Sequence, residues 1–442
     1  ILSFEMASNS FAAKRSAMGR HLFQSLGDGV TCGDKLTDIN GMRMLSGAST
    51  PHSIMERYNA PIWIRKTARK LQEKSPRWRL KLAHLPTPLH NWNILGEREE
   101  KVIELYIKRD DCTGCELSGN KVRKLEFLLA DALNKQANHV ITVGGLQSNH
   151  CRATASACAR LGLKCHLVLR TSGDVTEDPG IKGNLMISRL CGASLHLVSE
   201  KQYDSHPQGG WGLVCDLKKR LELNDGVKAY CFPSGGSNVL GLWGYIEAVD
   251  ELLRQEQESN KGEFGYDTIY FACGSGGTAA GLALGLHFCG ASISAGGRTE
   301  LCGLCVDDTP SFFFEKIDNM IKEMGIFVKE GNTNNGRNLC AKDILRLEDA
   351  VGLGYARTTD EELSKIGNIA QKCGIVLDPV YSGKAALRMI KDLSEGGKKM
   401  MGGKRKKVLF IHTGGLLGLY DKDNQMQSIL NSLPSSNLPK PF

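Results

Sequence analysis

The sequence is poor in proline and lacks long apolar runs, and both absences exclude classes of protein. It has 13 prolines among 442 residues, and its mean hydropathy is −0.24. No apolar run approaches the roughly 20 residues that a membrane-spanning helix requires. The 50 glycines stand singly or in pairs between apolar runs, which excludes a collagen-like or linker-like chain. At 41% hydrophobic residues the chain can bury a core, and its glycines are typical of tight strand-to-helix turns.

The net charge of +8 comes from 56 Lys and Arg against 48 Asp and Glu, and part of the basic excess is local. One cluster near the C-terminus consists of Lys398, Lys399, Lys404, Arg405, Lys406 and Lys407. We interpret this cluster as a solvated loop before a strand, and not as a nuclear signal or a nucleic-acid patch. No aromatic residues are interleaved with it, and no nucleic-acid motif accompanies it. We therefore expect neither a nucleic acid nor a membrane as partner.

Fifteen cysteines are an odd number, and without a secretory signal they predict reduced thiols. Two CxxC pairs occur, Cys112/Cys115 and Cys302/Cys305. A zinc ribbon needs its two pairs about 15–20 residues apart, whereas 186 residues lie between positions 115 and 302. We interpret both pairs as buried or incidental thiols, and the sequence predicts no metal site.

Residues 1–50 have no strong strand pattern and are interpreted as an N-terminal extension. The stretch 11–26 carries an acid-free face of basic and apolar residues, as organelle transit peptides do, although four acids elsewhere in the extension dilute this signal. A disordered tail is the alternative. We expect a mitochondrial protein, with the cytoplasm and the plastid as alternatives.

From residue 80 onward, predicted strands alternate with predicted helices. Strands are predicted at 103–108, 139–143, 164–170, 194–198, 228–232, 268–272, 301–306 and 408–412. Helices are predicted at 122–136, 148–161, 183–191, 238–255, 278–288, 311–324, 360–373 and 383–394. This alternation with short connections predicts an α/β protein with parallel sheets and helices on both faces. Ligands of such sheets bind at the carboxyl ends of the strands, where the glycine loops of this chain lie.

The first glycine loop brings a lysine to a helix entrance. Lys121 follows Ser-Gly-Asn directly before an amphipathic pattern. The helix dipole and partial burial both lower the pKa of a lysine there, as a lysine that forms a Schiff base requires. A surface lysine on the first helical turn is the alternative.

The second loop, Gly144-Gly-Leu-Gln-Ser148-Asn149-His150, also lies between a predicted strand and a predicted helix. Its backbone amides can hold a carboxylate, and Ser148 and Asn149 stand at the helix N-cap. Simple capping is the alternative, and it is compatible with ligand binding.

The third loop, Cys273–Gly281, has the composition of a phosphate cradle. Its glycine amides and the hydroxyls of Ser275 and Thr278 can meet an anion at a helix N-terminus. It is not a Walker loop, because no Lys-Ser/Thr pair follows. A fourth loop, His412–Gly415, presents the hydroxyl of Thr413 after the last predicted strand.

The third loop also matches a dinucleotide fingerprint. Gly274, Gly276 and Ala279 fit Gly-x-Gly-x-x-Ala, and Asp307 stands at the end of the next predicted strand. On this match alone, an NAD-dependent oxidoreductase is an alternative of another class.

Taken together, the loops resemble one family over about residues 75–435. The motifs that carry the resemblance are, in order, KRDD, SGNKVRKLE, GGLQSNH, PSGGSN, GSGGTAAG, LDPVYSGK and HTGG. Their order and spacing are similar to those of the fold-type-II pyridoxal-phosphate enzymes related to tryptophan synthase β. Within these, they resemble the 1-aminocyclopropane-1-carboxylate (ACC) deaminase and D-cysteine desulfhydrase family. The resemblance implies two open, twisted, mostly parallel sheets covered by helices, in a homodimer. It also implies a small domain at 124–237 and a large domain built from 51–123 and 238–442.

The resemblance assigns pyridoxal 5′-phosphate as cofactor and gives roles to individual residues. Lys121 matches the lysine that holds the cofactor, Asn149 the asparagine near its 3′-oxygen, and Ser148 a catalytic serine. The implied phosphate loop is Ser275, Gly276, Gly277 and Thr278. The implied substrate-binding residues are Ser148, Asn149, His150, Tyr355 and Tyr381, of which both tyrosines are also implied to be catalytic. Ser382 and Thr413 lie at cofactor-binding positions that discriminate within the family, where ACC deaminases carry Glu and Leu.

The implied reaction is β-elimination from D-cysteine, which gives pyruvate, hydrogen sulfide and ammonia. Lys121 is the expected base at Cα, with Ser148 as the rival. ACC deamination to 2-oxobutanoate and ammonia is the alternative on the same fold, and the two activities can coexist. A thiol-rich sensor that has lost its cofactor is a non-enzymatic alternative. The visible absorbance of the purified protein separates the pyridoxal-phosphate hypotheses from the others.

Overall fold

The computed structural model describes residues 54–171, 175, 177–260, 265–329, 336–396 and 405–431. These residues all belong to one compact unit that spans Ser49–Phe442. The predicted extension and most of the loop with the basic cluster lie outside the described residues. None of the helices in the described ranges combines the length and apolar character of a membrane span.

Strands and helices alternate along most of the described chain. The strands are β1 (Met55–Arg57), β2 (Trp78–Leu80), β3 (Leu89–Asn91), β4 (Ile103–Arg109), β5 (His139–Gly145), β6 (Lys164–Thr171), β7 (Ser194–Ser199), β8 (Ala229–Cys231), β9 (Thr268–Cys273), β10 (Glu300–Cys305), β11 (Phe327–Lys329), β12 (Gly336–Asn338), β13 (Arg346–Asp349) and β14 (Lys406–His412). The helices are α1 (Ile62–Thr67), α2 (Arg69–Glu73), α3 (Glu97–Glu100), α4 (Lys121–Asn134), α5 (Asn149–Leu161), α6 (Gly183–Leu190), α7 (Glu200–Ser205), α8 (Gly209–Leu221), α9 (Trp243–Asn260), α10 (Gly277–Phe288), α11 (Pro310–Glu323), α12 (Ala341–Ile344), α13 (Asp360–Cys373), α14 (Ser382–Gly396) and α15 (Asp423–Asn431).

The larger sheet has six strands in the order β13-β10-β9-β14-β4-β3. All its pairs are parallel except the pair of β3 with β4 at the edge. The last strand of the described residues, β14, therefore lies in the interior of this sheet, between β9 and β4. Every residue of β9 is buried, as expected for a parallel strand with helices on both faces.

The second sheet has four strands in the order β7-β6-β5-β8, and all its pairs are parallel. Two small antiparallel pairs, β1 with β2 and β11 with β12, complete the sheets of the described residues. The predicted fold class, an α/β protein with two mostly parallel sheets, is confirmed. The four-stranded sheet takes its strands from within 124–237, but the domain boundaries stay a prediction.

A buried ionic network fixes α4 against the larger sheet. The Arg123 guanidinium lies 2.8 Å from Asp110 and 2.9 Å from Glu251, and Lys108 donates to the same Glu251. All four side chains are buried, so removing one partner leaves an uncompensated charge, which costs about 3–5 kcal/mol. Because Lys108 and Asp110 belong to the KRDD motif, that motif fixes the helix that begins at Lys121.

Most predicted elements are found, with shifted ends at two loops. The predicted helix at 238–255 begins only at Trp243, because the Asn238 side chain accepts a hydrogen bond from the Gly241 N–H (2.8 Å) and forms a turn. The predicted helix at 148–161 begins at Asn149, and Ser148 is its N-cap. Helix α8 and strands β3 and β13 were not predicted. Their sequences lack a strong hydrophobic periodicity or are too short to show one.

Candidate active site

Two neighbouring cavities open at the carboxyl ends of the parallel strands. The inner cavity is lined by Asn120, Lys121, Asn149, 272–276, Thr278, Ala279, Tyr381, Thr413 and Gly414. The outer cavity is wider, and Arg170, Tyr355 and Asp378 are among the residues that line it. Because Asn149 and Tyr381 line both cavities, the two spaces are adjacent. The position agrees with the rule that ligands of open α/β sheets bind beyond the strand ends.

Lys121 is the first residue of α4 and lines the inner cavity. Burial lowers its pKa to about 8, and the carboxylate of Asp307 opposes this shift. The lowered pKa expected from the sequence is found. Within the described part of the chain, the Lys121 Nζ has no hydrogen-bond partner, so the amine is available to a ligand.

Gly235 allows the lysine amine and the third glycine loop to approach each other. Its backbone is left-handed, with a φ of +69°, and a Cβ built there would lie 2.3 Å from Ser275 Oγ and 3.3 Å from Lys121 Nζ. A larger residue at this position would occupy the space between the amine and the loop. This explains the glycine of the PSGGSN motif.

The third glycine loop leads into the N-terminus of α10. Gly276 has a φ of +83° and is the N-cap residue. The Gly277 N–H donates to Ser237 Oγ (3.2 Å), which in turn donates to Ser275 Oγ (2.9 Å). Thr278 Oγ1 accepts from Asn120 Nδ2 (3.2 Å), which joins this loop to the residue before Lys121. Unpaired N–H groups and the helix dipole make such a terminus attractive to an anion.

A second buried lysine, which sequence analysis missed, stands next to this cradle. Lys124 Nζ donates to the Gly235 carbonyl (3.1 Å) and to Ser237 Oγ (3.4 Å). Burial, and then the charge of Lys121, lower its pKa well below the ordinary value. An anion in the cradle would oppose that shift. The spacing of three residues, which places Lys121 and Lys124 on one helix face, is the signal that could have revealed it.

Ser148 and His150, in the second glycine loop, are buried. Ser148 is buried, and its hydroxyl accepts a hydrogen bond from the Cys151 N–H (3.2 Å), as an N-cap does. The His150 Nε2 lies 2.9 Å from Thr142 Oγ1, and burial lowers the pKa of the ring well below its ordinary value. Neither residue is among those that line the two cavities. Their catalytic and substrate-binding roles stay predictions.

Asn149, the third residue of this loop that was singled out, does line both cavities. Its Oδ1 accepts a hydrogen bond from Asn184 Nδ2 (3.0 Å) in α6. Asn184 was missed by sequence analysis, because a single amide in an apolar helix pattern carries no signal of its own.

Tyr355 and Tyr381 come together at the border between the cavities. Their hydroxyl oxygens are 2.6 Å apart, and their rings meet at 65° with centroids 6.0 Å apart. Burial raises the pKa of Tyr355 to about 12 and that of Tyr381 well above its usual value, so both hydroxyls stay protonated at neutral pH. Gly274 admits the Tyr381 ring, since a Cβ there would lie 2.9 Å from Cε1.

Ser382 and Thr413 are neighbours beside the inner cavity. Thr413 lines the cavity, and Ser382 is fully buried behind it. The Ser382 hydroxyl donates to the Gly414 carbonyl (3.0 Å) and lies 3.1 Å from His412 Nδ1. The backbone N–H of Ser382 donates to Asp378 Oδ1 (2.7 Å), which fixes the start of α14.

These features fit a phosphorylated aldehyde as ligand. The unpaired amine of Lys121 stands beside a glycine cradle in which a Cβ at Gly277 would lie only 2.7 Å from Ser237 Oγ. In the ranges that the structure describes, no group of three or more His, Cys, Asp and Glu could hold a metal ion. Of the CxxC pairs, Cys112 and Cys115 are exposed and Cys302 and Cys305 are buried. The fold and the site thus define an open α/β protein with a buried lysine beside a glycine-rich helix N-terminus.

Comparisons with known proteins name the family. The family model described as "Pyridoxal-phosphate dependent enzyme" matches residues 80–414. The mitochondrial bifunctional D-cysteine desulfhydrase/ACC deaminase of Arabidopsis thaliana is 46% identical over 352 residues, which cover 79% of this chain and 81% of that protein. The D-cysteine desulfhydrase of Serratia proteamaculans is 35% identical over 79% of this chain and 98% of its own length. The crystal structure of an ACC deaminase homologue has a TM-score of 0.66 at 31% identity, covering 84% of this chain and 100% of that chain.

The chain belongs to the pyridoxal-phosphate dependent enzymes, and pyridoxal phosphate is its cofactor. This membership favours pyridoxal-phosphate chemistry over the NAD-dependent and non-enzymatic alternatives. The resemblance derived from the motifs is confirmed.

Proposed function

We propose that the protein is a carbon–sulfur lyase that converts D-cysteine into pyruvate, hydrogen sulfide and ammonia. The observation that carries the proposal is the Lys121 amine, which has a pKa of about 8 and stands unpaired beside the glycine cradle. The choice of substrate is supported by relatives at 46% and 35% identity whose names contain D-cysteine desulfhydrase.

Different residues in and around the inner cavity would bind different parts of the cofactor. Lys121 would hold it covalently, and Asn149 would contact its 3′-oxygen. The loop Ser275–Thr278, with Lys124 beside it, would hold the phosphate at the N-terminus of α10. Ser382 and Thr413 would meet the pyridine nitrogen at the opposite end. When bound, pyridoxal phosphate delocalises the electron pair that remains on the substrate's Cα after its proton leaves.

Lys121 is the best candidate for the base that takes the Cα proton. Burial favours its neutral form, and a pKa of about 8 is close to a physiological working pH, which suits a general base. Ser148 is the weaker candidate, because its hydroxyl is occupied as the N-cap of α5 and it lines neither cavity.

The two tyrosines are suited to hold the departing sulfur. Because both hydroxyls stay protonated, one can donate to the other and leave the second proton for a ligand in the cavity. A hydrogen bond from Tyr355 or Tyr381 to the sulfur stabilises the electron pair that leaves with it when the Cβ–S bond breaks.

ACC deamination is a second candidate activity of the same site. It is supported by the name of the bifunctional Arabidopsis thaliana relative and by the structural similarity to an ACC deaminase homologue. In that reaction the cavity would hold a cyclopropane ring in place of the thiol.

A substrate comparison with two lysine variants tests the function. We expect the unaltered protein to release pyruvate and sulfide from D-cysteine faster than from L-cysteine, and faster than 2-oxobutanoate from ACC. Lys121→Ala should lose turnover and the visible absorbance of the bound cofactor. Lys135→Ala, which removes an exposed lysine at the other end of α4, should keep both. Full activity of Lys121→Ala, or no sulfide from D-cysteine in the unaltered protein, contradicts the proposal.

We also propose a mitochondrial location, a homodimer, and the predicted division into a small domain at 124–237 and a large domain. The location is supported by the basic and apolar face at 11–26 and by the mitochondrial relative. Import of the full chain into isolated mitochondria tests the location, and sedimentation equilibrium of the holoenzyme tests the dimer. Hydrogen exchange tests the division, which predicts that the residues of 124–237 exchange as one cooperative unit.

A further inference from the structure

The side chain of Asn184 in α6 is fully buried and connects Arg152 with Asn149. Arg152 Nε donates to Asn184 Oδ1 (3.0 Å), and Asn184 Nδ2 donates to Asn149 Oδ1 (3.0 Å). The same Nδ2 also donates to the main-chain oxygen of Gln147 (3.0 Å). Both the oxygen and the nitrogen of the Asn184 side-chain amide are therefore hydrogen-bonded, and neither is exposed to solvent.

The chemistry of the two neighbours decides which way the Asn184 amide faces. A guanidinium has donors only, so the Asn184 atom next to Arg152 must be the oxygen. Arg152 is itself held, because it also donates to the main-chain oxygens of Glu116 and Ser118 (2.9 Å to Ser118). The main-chain oxygen of Gln147 can only accept, so the atom next to it must be the nitrogen. Two independent neighbours thus require the same orientation of Asn184.

The orientation of Asn184 then determines that of Asn149. Since Asn184 presents a donor, Asn149 turns its Oδ1 towards it, and its Nδ2 is left as the other end of the amide. Asn149 lines the inner cavity together with Lys121. An amide nitrogen there can donate to an anionic oxygen, whereas an amide oxygen would repel it.

We propose that Asn184, oriented by Arg152, is a positioning residue that holds the Asn149 amide with its N–H₂ group towards the ligand. The inference rests on the proposed role of Asn149 as a ligand-binding residue. The ligand atom that accepts the hydrogen bond from Asn149 is an anionic oxygen. It is either the 3′-oxygen of the cofactor or an oxygen of the substrate carboxylate. Asn184 touches neither, and it acts only through Asn149.

Asn184→Asp tests the relay with almost no change of shape. The carboxylate still accepts from Arg152, but it cannot donate, so Asn149 turns its nitrogen towards Asp and exposes its oxygen to the cavity. We expect at least a tenfold loss of affinity for pyridoxal phosphate, and an altered visible absorbance, when the apo-protein is titrated. If Asn149 instead donates to the substrate carboxylate, the affinity of Asn184→Asp for pyridoxal phosphate stays unchanged. Its KM for D-cysteine then rises at least tenfold.

Two further variants separate positioning from general damage. Arg152→Lys keeps a donor towards Asn184 and should keep cofactor affinity and KM within about threefold of the unaltered values. Ser188→Ala removes a buried hydrogen bond to the main chain of Asn184 (3.0 Å) in the same helix, and it should change neither quantity. A loss in Ser188→Ala as large as in Asn184→Asp, or unchanged affinity, absorbance and KM in Asn184→Asp, overturns the proposal.

A neutron structure of the unaltered holoenzyme tests the orientation without any variant. We expect deuterium on the Asn149 atom that faces the ligand, and deuterium on the atom that faces Asn184 overturns the proposal. This measurement also distinguishes the relay from the proposed activity. A holoenzyme that releases no sulfide from D-cysteine contradicts the proposed function, but the neutron result for Asn149 stands by itself.

Discussion

The hydroxyl oxygen of Ser382 lies 3.4 Å from that of Thr413, and both side chains are buried. The two residues come from different elements, since Ser382 begins α14 and Thr413 directly follows β14. The Ser382 oxygen is further held by the Gly414 carbonyl and by His412 Nδ1. Thr413 therefore presents a neutral hydroxyl to the inner cavity, and the neutral hydroxyl of Ser382 lies directly behind it.

The hydroxyl pair predicts that desulfhydrase activity exceeds ACC deamination. A carboxylate beside the pyridine nitrogen would raise the pKa of that nitrogen and make the ring a stronger electron sink. Opening a cyclopropane requires such a sink, whereas a thiolate leaves more readily. The double change Ser382→Glu with Thr413→Leu should therefore shift the ratio of kcat/KM towards ACC by about tenfold to a few hundredfold, or roughly 1–3 kcal/mol. Pyruvate and 2-oxobutanoate release measure this ratio.

Ser382→Gln with Thr413→Leu is the matched control for charge, because Gln has the size of Glu without its charge. Its ratio of activities should stay close to that of the unaltered protein. An equal shift in both double variants would mean that side-chain size, and not charge, sets the ratio. A preference for ACC in the unaltered protein would mean that these two positions do not determine the reaction.

The lowered pKa of Lys121 predicts how cofactor loading depends on pH. Only the neutral amine attacks an aldehyde, and burial brings the pKa of Lys121 to about 8. The rate at which apo-protein takes up pyridoxal phosphate should therefore rise with pH, with a midpoint near 8, and then level off, as followed by stopped-flow absorbance. Asp307→Asn should move the midpoint to lower pH, because the Asp307 carboxylate raises the pKa of the lysine. A rate that still climbs above pH 9 in the unaltered protein contradicts the prediction.

The contact between Tyr355 and Tyr381 predicts a loss of turnover that is not a loss of stability. Tyr355→Phe removes one of two hydroxyls that lie 2.6 Å apart. We expect kcat for D-cysteine to fall roughly tenfold, which corresponds to about 1.4 kcal/mol of transition-state stabilisation. Tyr106→Phe removes a hydroxyl that contacts Glu104 (3.4 Å) on another part of the larger sheet, and it should keep kcat. Equal kcat values for the two variants would exclude a role of Tyr355 in the chemical step.

Three histidines on neighbouring strands predict acid sensitivity of the fold. His139, His166 and His196 form a ladder across β5, β6 and β7, with N···N distances of 2.9 Å and 3.1 Å. Burial lowers the pKa of all three, that of His166 from 6.5 to about 4. Because the unfolded state binds the proton more tightly, the stability contribution of these neutral rings is complete above about pH 6.5 and is lost as pH falls towards 4.

His166→Gln tests this ladder. From pH 7 to pH 5 the unaltered protein should lose about 1–2 kcal/mol more unfolding free energy than the variant, as measured by urea denaturation at each pH. His90→Gln, which changes an exposed histidine next to Asn91, should keep the slope of the unaltered protein. A His166→Gln slope equal to that of the unaltered protein would contradict the role of the ladder.

The sequence also predicts that residues before Thr50 are dispensable for catalysis. They lack the periodicity that packing onto a sheet requires, and the first sequence signal similar to the family comes later, near Leu85-Pro-Thr-Pro88. A chain that begins at Thr50 should be soluble and retain the kcat and KM of the full chain. Aggregation of this shortened chain would show that the segment is structural and would contradict the transit-peptide interpretation.

The sequence predicted the elements and loops, but not the contacts between them. Local pattern placed Lys121 at a helix entrance, but only the family resemblance favoured a cofactor lysine over a surface lysine, because burial depends on tertiary packing. Local pattern also placed the cradle at Gly276. The contact of Asn184 with Asn149 and the histidine ladder depend on how separate elements pack. Such contacts join residues far apart in the chain, so a pattern along the sequence does not reveal them.

The place of β14 inside the six-stranded sheet has a consequence for biosynthesis. Ribosomes make the chain from its N-terminus, so Ile103–Arg109 emerges some 300 residues before its neighbour Lys406–His412. The peptide N–H of Asn120, next to the cofactor lysine, donates to the carbonyl of Thr413 (3.0 Å). A nascent polypeptide therefore cannot complete its cofactor pocket until Thr413 has been synthesised. Premature termination before Lys406 would leave the strands at 103–109 and 268–273 without the strand that joins them, and so without a holoenzyme.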